Sequence, residues 1–365
     1  MNAPRQLGSR SVRVLLLLAI VVPNSLRAQQ PNTYAQAQQA FASKHFREAA
    51  ALFAVAAAAE EGMPPASHTD ALLMQAKSLF NLDESAAAEP LLHSYLEQDR
   101  ESSPALYLLG YVLQRKNKPR ESLEAFTRAA AITTPHPEDL RLVALDYVLL
   151  DDYADAIHWL RRCIVADPDN AEAWYDLGRA QMHEGNFVES ERDFKRTLAI
   201  NPANVKALDN LGLSLEAQNR TEDALTEYSS AISAQAKAQH PSEQPLLNFG
   251  ALLNTRNRYT EAIAPLQRAV ILAPSSSRCH EELSRAYSGA HQEVPAREQM
   301  EQAIALDPEN PRLHFQLGQM YRRAGFTDRS QLELKKSAEL YSTHSSTTEV
   351  DRNRPKATTR DAEIR

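Results

Sequence analysis

Residues 171–204 read AEAWYDLGRAQMHEGNFVESERDFKRTLAINPAN, and this stretch decides the fold. Its first part places four residues at the i, i+3, i+4 and i+7 spacing of one helical face: Trp174, Leu177, Gly178 and Gln181. Gly185 is expected to end this helix, because glycine tolerates the left-handed cap conformation. A second helix, with Phe194 on its packing face, ends before Pro202. The stretch therefore predicts two helices joined by a tight turn.

The same pattern returns along most of the chain at steps of 34 residues. One column holds small residues throughout: Ala37, Ala76, Gly110, Ala144, Gly178, Gly212, Gly250, Ser284 and Gly318. A column in the second helix is always large and apolar: Phe53, Leu92, Phe126, Leu160, Phe194, Tyr228, Leu266, Met300 and Leu334. Small residues let two helices approach closely and the large side chain fills the space beside them, so the pattern predicts repeated helical hairpins.

These motifs resemble the tetratricopeptide repeat family, through Trp174, Leu177, Gly178, Phe194 and Pro202. The resemblance implies an all-α fold, a right-handed superhelical solenoid of about nine helix–turn–helix repeats. The repeats begin near residues 30, 69, 103, 137, 171, 205, 243, 277 and 311. It also implies a binding scaffold whose concave groove is lined by the first helices, with no cofactor.

Two junctions are longer than the others, and two prolines interrupt second helices. Residues 62–68 are expected to form a loop and residues 236–242 a lengthened second helix. Pro90 and Pro265 are expected near the first turn of their helices, where a missing N–H costs little.

The N-terminus has the pattern of a secretion signal. Three arginines precede the apolar run 14–22, and Ala28 offers a small residue before a cleavage point. Nine apolar residues are too few to cross a bilayer, so we expect no stable membrane insertion after cleavage; an uncleaved anchor is the alternative. Removal of residues 1–28 takes four arginines away and lowers the formal net charge from −7 to −11. The mature chain is thus predicted to be periplasmic or secreted and not to bind nucleic acid.

The sequence divides into a signal peptide (1–28), a repeat solenoid (29–341) and a polar tail (342–365). The tail lacks aromatic residues and is expected to be disordered, because it cannot bury enough apolar area. Cys163 and Cys279 lie in well-separated repeats and are expected to be free thiols.

The free stripe of the first helices is the expected binding surface, and it changes character along the chain. An apolar zone comes first, around Tyr107 and Leu108; it either contacts a partner or is buried between repeats. An amide and carboxylate ladder follows, which can pair with an extended peptide or form a solvated face. Arginines then dominate and could bind carboxylates or complement helix ends. The residues expected in the groove are Tyr107, Tyr111, Arg141, Tyr175, Asp176, Arg179, Asn210, Asn248, Arg285 and Arg312.

Nothing in the sequence favours catalysis. Glycine-rich phosphate loops, paired metal-ligand cysteines and HExxH helices are absent. Asp151, Asp155 and His158 share a helix face, but a solvated surface is the favoured interpretation over a metal site. The leading hypothesis is a non-enzymatic scaffold that binds a protein or peptide. The alternatives are a structural component of an envelope assembly that uses the convex face or the ends and, less favoured, a hydrolase.

Overall fold

The computed structural model describes residues 33–58 and 65–352, and every regular element within them is an α-helix. The expected all-α repeat class is therefore confirmed. The predicted signal peptide lies outside the described residues, as does residue range 353–365 of the predicted tail. None of the described helices is both long and apolar enough to cross a membrane.

The chain forms two compact units, which meet in sequence at Pro135 and His136. The helices of unit 1 pair as three hairpins: α1 (Thr33–Ala42) with α2 (Phe46–Ala57), α3 (Pro65–Asn81) with α4 (Ser85–Gln98), and α5 (Ser103–Arg115) with α6 (Pro119–Ile132). The core of this unit lies between consecutive helices, with Phe53, Leu92 and Phe126 at most 1% exposed.

Unit 2 contains six hairpins. They are α7 (Pro137–Leu149) with α8 (Tyr153–Ala166), α9 (Ala171–His183) with α10 (Phe187–Ile200), α11 (Val205–Ala217) with α12 (Thr221–Ala234), α13 (Gln244–Thr255) with α14 (Tyr259–Leu272), α15 (Ser277–Gly289) with α16 (Glu293–Leu306), and α17 (Pro311–Arg323) with α18 (Thr327–Arg352). Each second helix also packs against the next first helix, and the apolar core of the unit forms three consecutive clusters along the stack.

The hairpins with glycine in the small column close where that glycine meets the large residue, as the two sequence columns predict. A Cβ added to Gly178 would lie 2.7 Å from the Phe194 ring, and one added to Gly212 would lie 2.5 Å from the Tyr228 ring. Both rings are fully buried. The absence of a side chain at these glycines is therefore what lets the two helices approach.

The turns inside the hairpins need one residue in the left-handed region. Gly185 has φ +77° and Gly325 has φ +80°, which confirms that glycine ends the first helix. In other hairpins the same place is taken mostly by Asn or Asp, which tolerate this conformation: Asp83, Asn117, Asp151, Asn219 and Asn257.

Several details differ from the sequence expectations. Pro90 and Pro265 lie in the second turn of α4 and α14 rather than the first. The second helix α12 is not lengthened but ends at Ala234, and residues 236–242 form a loop. The buried Gln235 side chain explains this loop, because its amide donates to the Ser242 carbonyl at 2.7 Å and accepts from the Ser242 N–H at 2.9 Å. These two bonds close the extra segment on itself.

Two further observations concern the ends of the predicted solenoid and the thiols. Helix α18 continues to Arg352, into the segment predicted to be a disordered tail. Cys163 and Cys279 are both free and buried, as expected from their positions in separate repeats.

Candidate partner-binding face

The first helices of unit 2 touch one another through two adjacent columns of side chains. We call these the fifth and sixth positions, counted from the first residue of each repeat; in the repeat at residue 171 they are Tyr175 and Asp176. The side chain at the fifth position of one repeat contacts the sixth position of the next. Most of the ladder predicted to face a peptide is thus engaged between repeats.

Arg141 and Asp176 form the ion pair of this ladder. The Arg141 Nε donates to Asp176 Oδ2 at 2.8 Å, and the two side chains are 18% and 7% exposed. The same guanidinium also reaches Glu138 at 3.1 Å and Glu172 at 3.7 Å. Burial raises the pKa of Asp176 above its ordinary value, against the opposing charge of Arg141. Arg141 is therefore committed to neighbouring carboxylates.

The next two contacts use the asparagines that the sequence placed in the groove. Asn210 donates from Nδ2 to the Tyr175 hydroxyl at 2.9 Å. The Nδ2 of Asn248 donates to both carboxylate oxygens of Asp209, at 3.0 and 3.2 Å. Burial raises the pKa of Asp209 to about 6, and the Asn248 hydrogen bond opposes this shift. Both amides therefore hold repeats together.

Three of the predicted groove arginines present charge toward solvent. Arg179 is exposed and lies 5.9 Å from the Tyr175 ring centroid. The side chains of Arg285 and Arg312 are 38% and 54% exposed, although both contact the buried Glu281, at 3.9 and 2.7 Å. Further exposed arginines lie on the last two first helices: Arg278, Arg322 and Arg323. This part of the first-helix face therefore has a positive charge on a chain of net charge −7.

The predicted aromatic zone lies in unit 1 and is partly core. Tyr107 and Tyr111 are half-buried, with ring centroids 6.2 and 5.5 Å from that of Phe126. The Tyr107 hydroxyl donates to the Thr133 carbonyl at 3.3 Å. Leu108, from the same zone, is 6% exposed. Packing explains most of this zone, while both tyrosines stay partly exposed. The other eight predicted site residues lie in unit 2.

The structure also contains a cleft that sequence reasoning missed. It holds about 500 Å³ between α4 and α6 and is floored by the buried Leu109 and Leu113 of α5. The small side chain of Ala125 explains the cleft, because the equivalent position in later repeats holds the larger side chains of Trp159 and Glu227. Charged side chains form its rim: Glu97, Arg100, Glu121, Glu124 and Arg128. An alanine in an otherwise bulky column was the available signal.

A second missed feature is a set of ring N–H donors at the repeat junctions. Trp174 Nε1 donates to the Pro168 carbonyl at 2.9 Å, and His280 and His314 reach the equivalent Pro274 and Pro308 carbonyls at 3.1 and 2.9 Å. These hydrogen bonds explain why Trp174, His280 and His314 carry polar rings on faces that pack against other helices. The rings stabilise the junction between repeats rather than bind a ligand.

The described residues offer little for chemistry. No group of three or more His, Cys, Asp or Glu side chains among them could hold a metal ion. Burial raises the pKa of the Cys163 thiol to about 11, so this thiol is a packing residue and not an activated nucleophile.

Comparison with known proteins agrees with the repeat architecture. The family of the cilia and flagella-associated protein 70 middle TPR-like domain matches residues 140–294, and a tetratricopeptide repeat family matches residues 73–137. The BBSome complex member BBS4 of Bos taurus is 23% identical over 61% of this chain and 42% of its own length. The type IV pilus assembly protein PilF of Pseudomonas aeruginosa is 23% identical over 41% of this chain and 58% of its own. The chain thus spans well under two thirds of these relatives.

Among solved structures, a tetratricopeptide repeat protein from Parabacteroides merdae aligns with a TM-score of 0.54 and 15% identity, over 74% of this chain and 98% of that one. At this identity the likeness concerns the fold alone. The sequence period, the stacked hairpins and the two matching families together identify the chain as a protein with tetratricopeptide repeats.

Proposed function

We propose that this chain is a non-enzymatic scaffold, periplasmic or secreted, that binds a segment of a partner protein. The binding surface is the first-helix face of unit 2, and the partner segment is extended or helical. The export part of the proposal rests on the N-terminal sequence. The binding part is supported by the repeat fold and by similarity to proteins named as members of assemblies.

The observation that carries the binding surface is the row of accessible arginines. Arg179, Arg285 and Arg312 project from three first helices and keep solvent access although some also touch carboxylates. Guanidinium groups form strong, oriented hydrogen bonds with carboxylates. The partner segment is therefore acidic, and its main chain runs along the face between the arginines. The buried ladder beneath them supplies rigidity rather than contacts.

A pair of charge reversals tests this surface. Arg179→Glu combined with Arg285→Glu should abolish capture of the native partner, as measured by crosslinking in the intact envelope followed by mass spectrometry. Arg161→Glu, an exposed arginine on the second helix α8, is the matched control and should leave capture unchanged. Equal capture by all three proteins would reject the first-helix face, provided that circular dichroism shows equal helix content.

The cleft of unit 1 favours a second candidate function, a structural role in an envelope assembly through the second helices. An apolar floor with a charged rim is the composition of a site for a partner side chain. Crosslinks concentrated on α4 and α6, with none from Arg179, would favour this alternative. Turnover in a broad hydrolase panel would instead support the least favoured hypothesis.

A further inference from the structure

The last hairpin of unit 2 presents an uncovered copy of the surface that joins the other repeats. At the fifth position, Asp209, Leu247 and Glu281 are 7%, 3% and 4% exposed. Phe315 occupies this position in the last repeat and is 48% exposed. A large aromatic residue thus stands where the preceding repeats place a covered side chain.

The large-residue column shows the same difference. Phe194, Tyr228 and Met300 are at most 1% exposed, because each packs against the first helix of the following repeat. Leu334, their counterpart in α18, is only half-buried. Tyr341 lies about two turns after Leu334 on the same face of α18 and is 52% exposed. Together, Phe315, Leu334 and Tyr341 form what we call the end surface.

The internal junctions reveal which kind of element covers such a surface. Leu160, the large residue of α8, packs against α9. The residues of α9 in this cluster are Ala173, Leu177 and Ala180, all at most 2% exposed. The pattern is a small residue, a leucine four positions later and a small residue three positions after that. It recurs in α11 as Ala207, Leu211 and Ser214 and in α15 as Cys279, Leu283 and Ala286, whereas α13 and α17 carry larger side chains at these positions. All of the residues named in α11 and α15 are buried.

Residues 343–365 do not supply another helix of this kind. Residues 343–365 contain no leucine and no aromatic residue. Helix α1 of a second copy of the chain does not match the pattern either. Gln36 and Gln39 occupy the positions of the leucine and of the second small residue, and both are exposed. Two glutamines would leave polar groups against an apolar surface, which costs free energy.

We infer that the end surface docks an amphipathic α-helix of a partner protein that carries this small–leucine–small pattern. The docked helix extends the repeat stack by one element and buries Phe315 and Leu334. Phe315 follows Arg312 by three residues on α17, so the end surface adjoins the proposed arginine face and adds an apolar helix to the acidic segment proposed for that face.

Fluorescence anisotropy with a defined probe tests this inference. The probe is a fluorescein-labelled, lactam-stapled peptide of residues 171–183, which contains the pattern, and it is titrated with the purified full chain. Phe315→Ser should weaken binding about tenfold, because half of a phenylalanine side chain is no longer buried. Tyr341→Ser should weaken it less. Val188→Ser, at a side chain that is 65% exposed on α10, is the control and should bind like the unaltered chain.

The outcomes separate the alternatives. A probe with Leu177→Gln should not bind, which ties binding to the pattern. Equal affinity of the Phe315→Ser and Val188→Ser proteins would overturn the inference. So would concentration-dependent dimerisation in sedimentation equilibrium that disappears with Phe315→Ser, because the end surface would then belong to a second copy.

Discussion

Replacing Gly212 with alanine tests the packing rule that closes the glycine-containing hairpins. The new Cβ would lie 2.5, 2.7 and 2.9 Å from three carbons of the Tyr228 ring. That ring is fully buried, and its hydroxyl donates to Glu216 at 3.1 Å, so it has little room to move. Overpacking of this kind costs about 1–3 kcal/mol, against a helix-propensity gain of about 1 kcal/mol for Gly→Ala. We expect a net loss of up to about 2 kcal/mol.

Gly318→Ala is the matched control, because its Cβ would meet Leu334 at 2.8 Å. Leu334 is half-buried, so its side chain has room to turn aside, although its backbone N also lies 3.3 Å from the new Cβ. We therefore expect Gly318→Ala to lie within about 1 kcal/mol of the unaltered chain.

The assay is native-state hydrogen exchange, read separately for α11 with α12 and for α17 with α18, because repeat arrays unfold locally. Adding Tyr228→Leu to Gly212→Ala should restore part of the loss, since Ala144 with Leu160 is a natural pair of this kind in unit 2. Protection of α11 amides that is equal or higher in Gly212→Ala would refute the packing rule.

Three further predictions concern buried charges of unit 2. The pKa of Asp209 is raised to about 6, so its ionisation opposes folding and stability should fall as pH rises from 4 to 6. Asp209→Asn, which can still accept from Asn248, should lessen that slope in urea titrations and raise stability at pH 7 by about 2 kcal/mol; the part that remains belongs to Asp193, whose pKa is also raised to about 6. Arg141→Met should cost about 3–5 kcal/mol because it leaves Asp176 buried and unpaired, and adding Asp176→Leu should recover most of it in the same titrations. Three hydrogen-bond donors outweigh the effect of burial and lower the pKa of Glu191 to about 2. Glu191→Gln should therefore destabilise the chain by about 1–2 kcal/mol at pH 7, measured as a lower melting temperature. The difference from the unaltered chain should shrink as the pH falls below about 4.5.

The fold could be predicted from the sequence because its determinants are local and repeated. The column that contains Gly178 and the column that contains Phe194 recur at a fixed step, and they meet in the structure as expected. The turn at Gly185 followed from the residue type alone. The loop at 236–242 did not, because it depends on one side chain, Gln235, that folds back on the chain.

The candidate site was less predictable because exposure depends on the neighbouring repeat. The sequence shows that Asn210 and Asn248 lie on the free stripe of their helices, but not that Tyr175 and Asp209 reach across to them. The relevant signal is a spacing of one repeat plus one residue, which joins the fifth and sixth positions. Arg179 stays exposed because no such partner follows it.

Site-specific photo-crosslinking in the native envelope tests the central claim most directly, namely that a partner lies on the first-helix face of unit 2. A photoreactive amino acid is placed singly at Arg179, Arg285, Arg161 and Glu227, and the crosslinked peptides are identified by mass spectrometry. The first two positions should capture one acidic segment of one protein, and the last two should capture none. Capture from Arg161 and Glu227 alone would contradict the account and assign binding to the second helices.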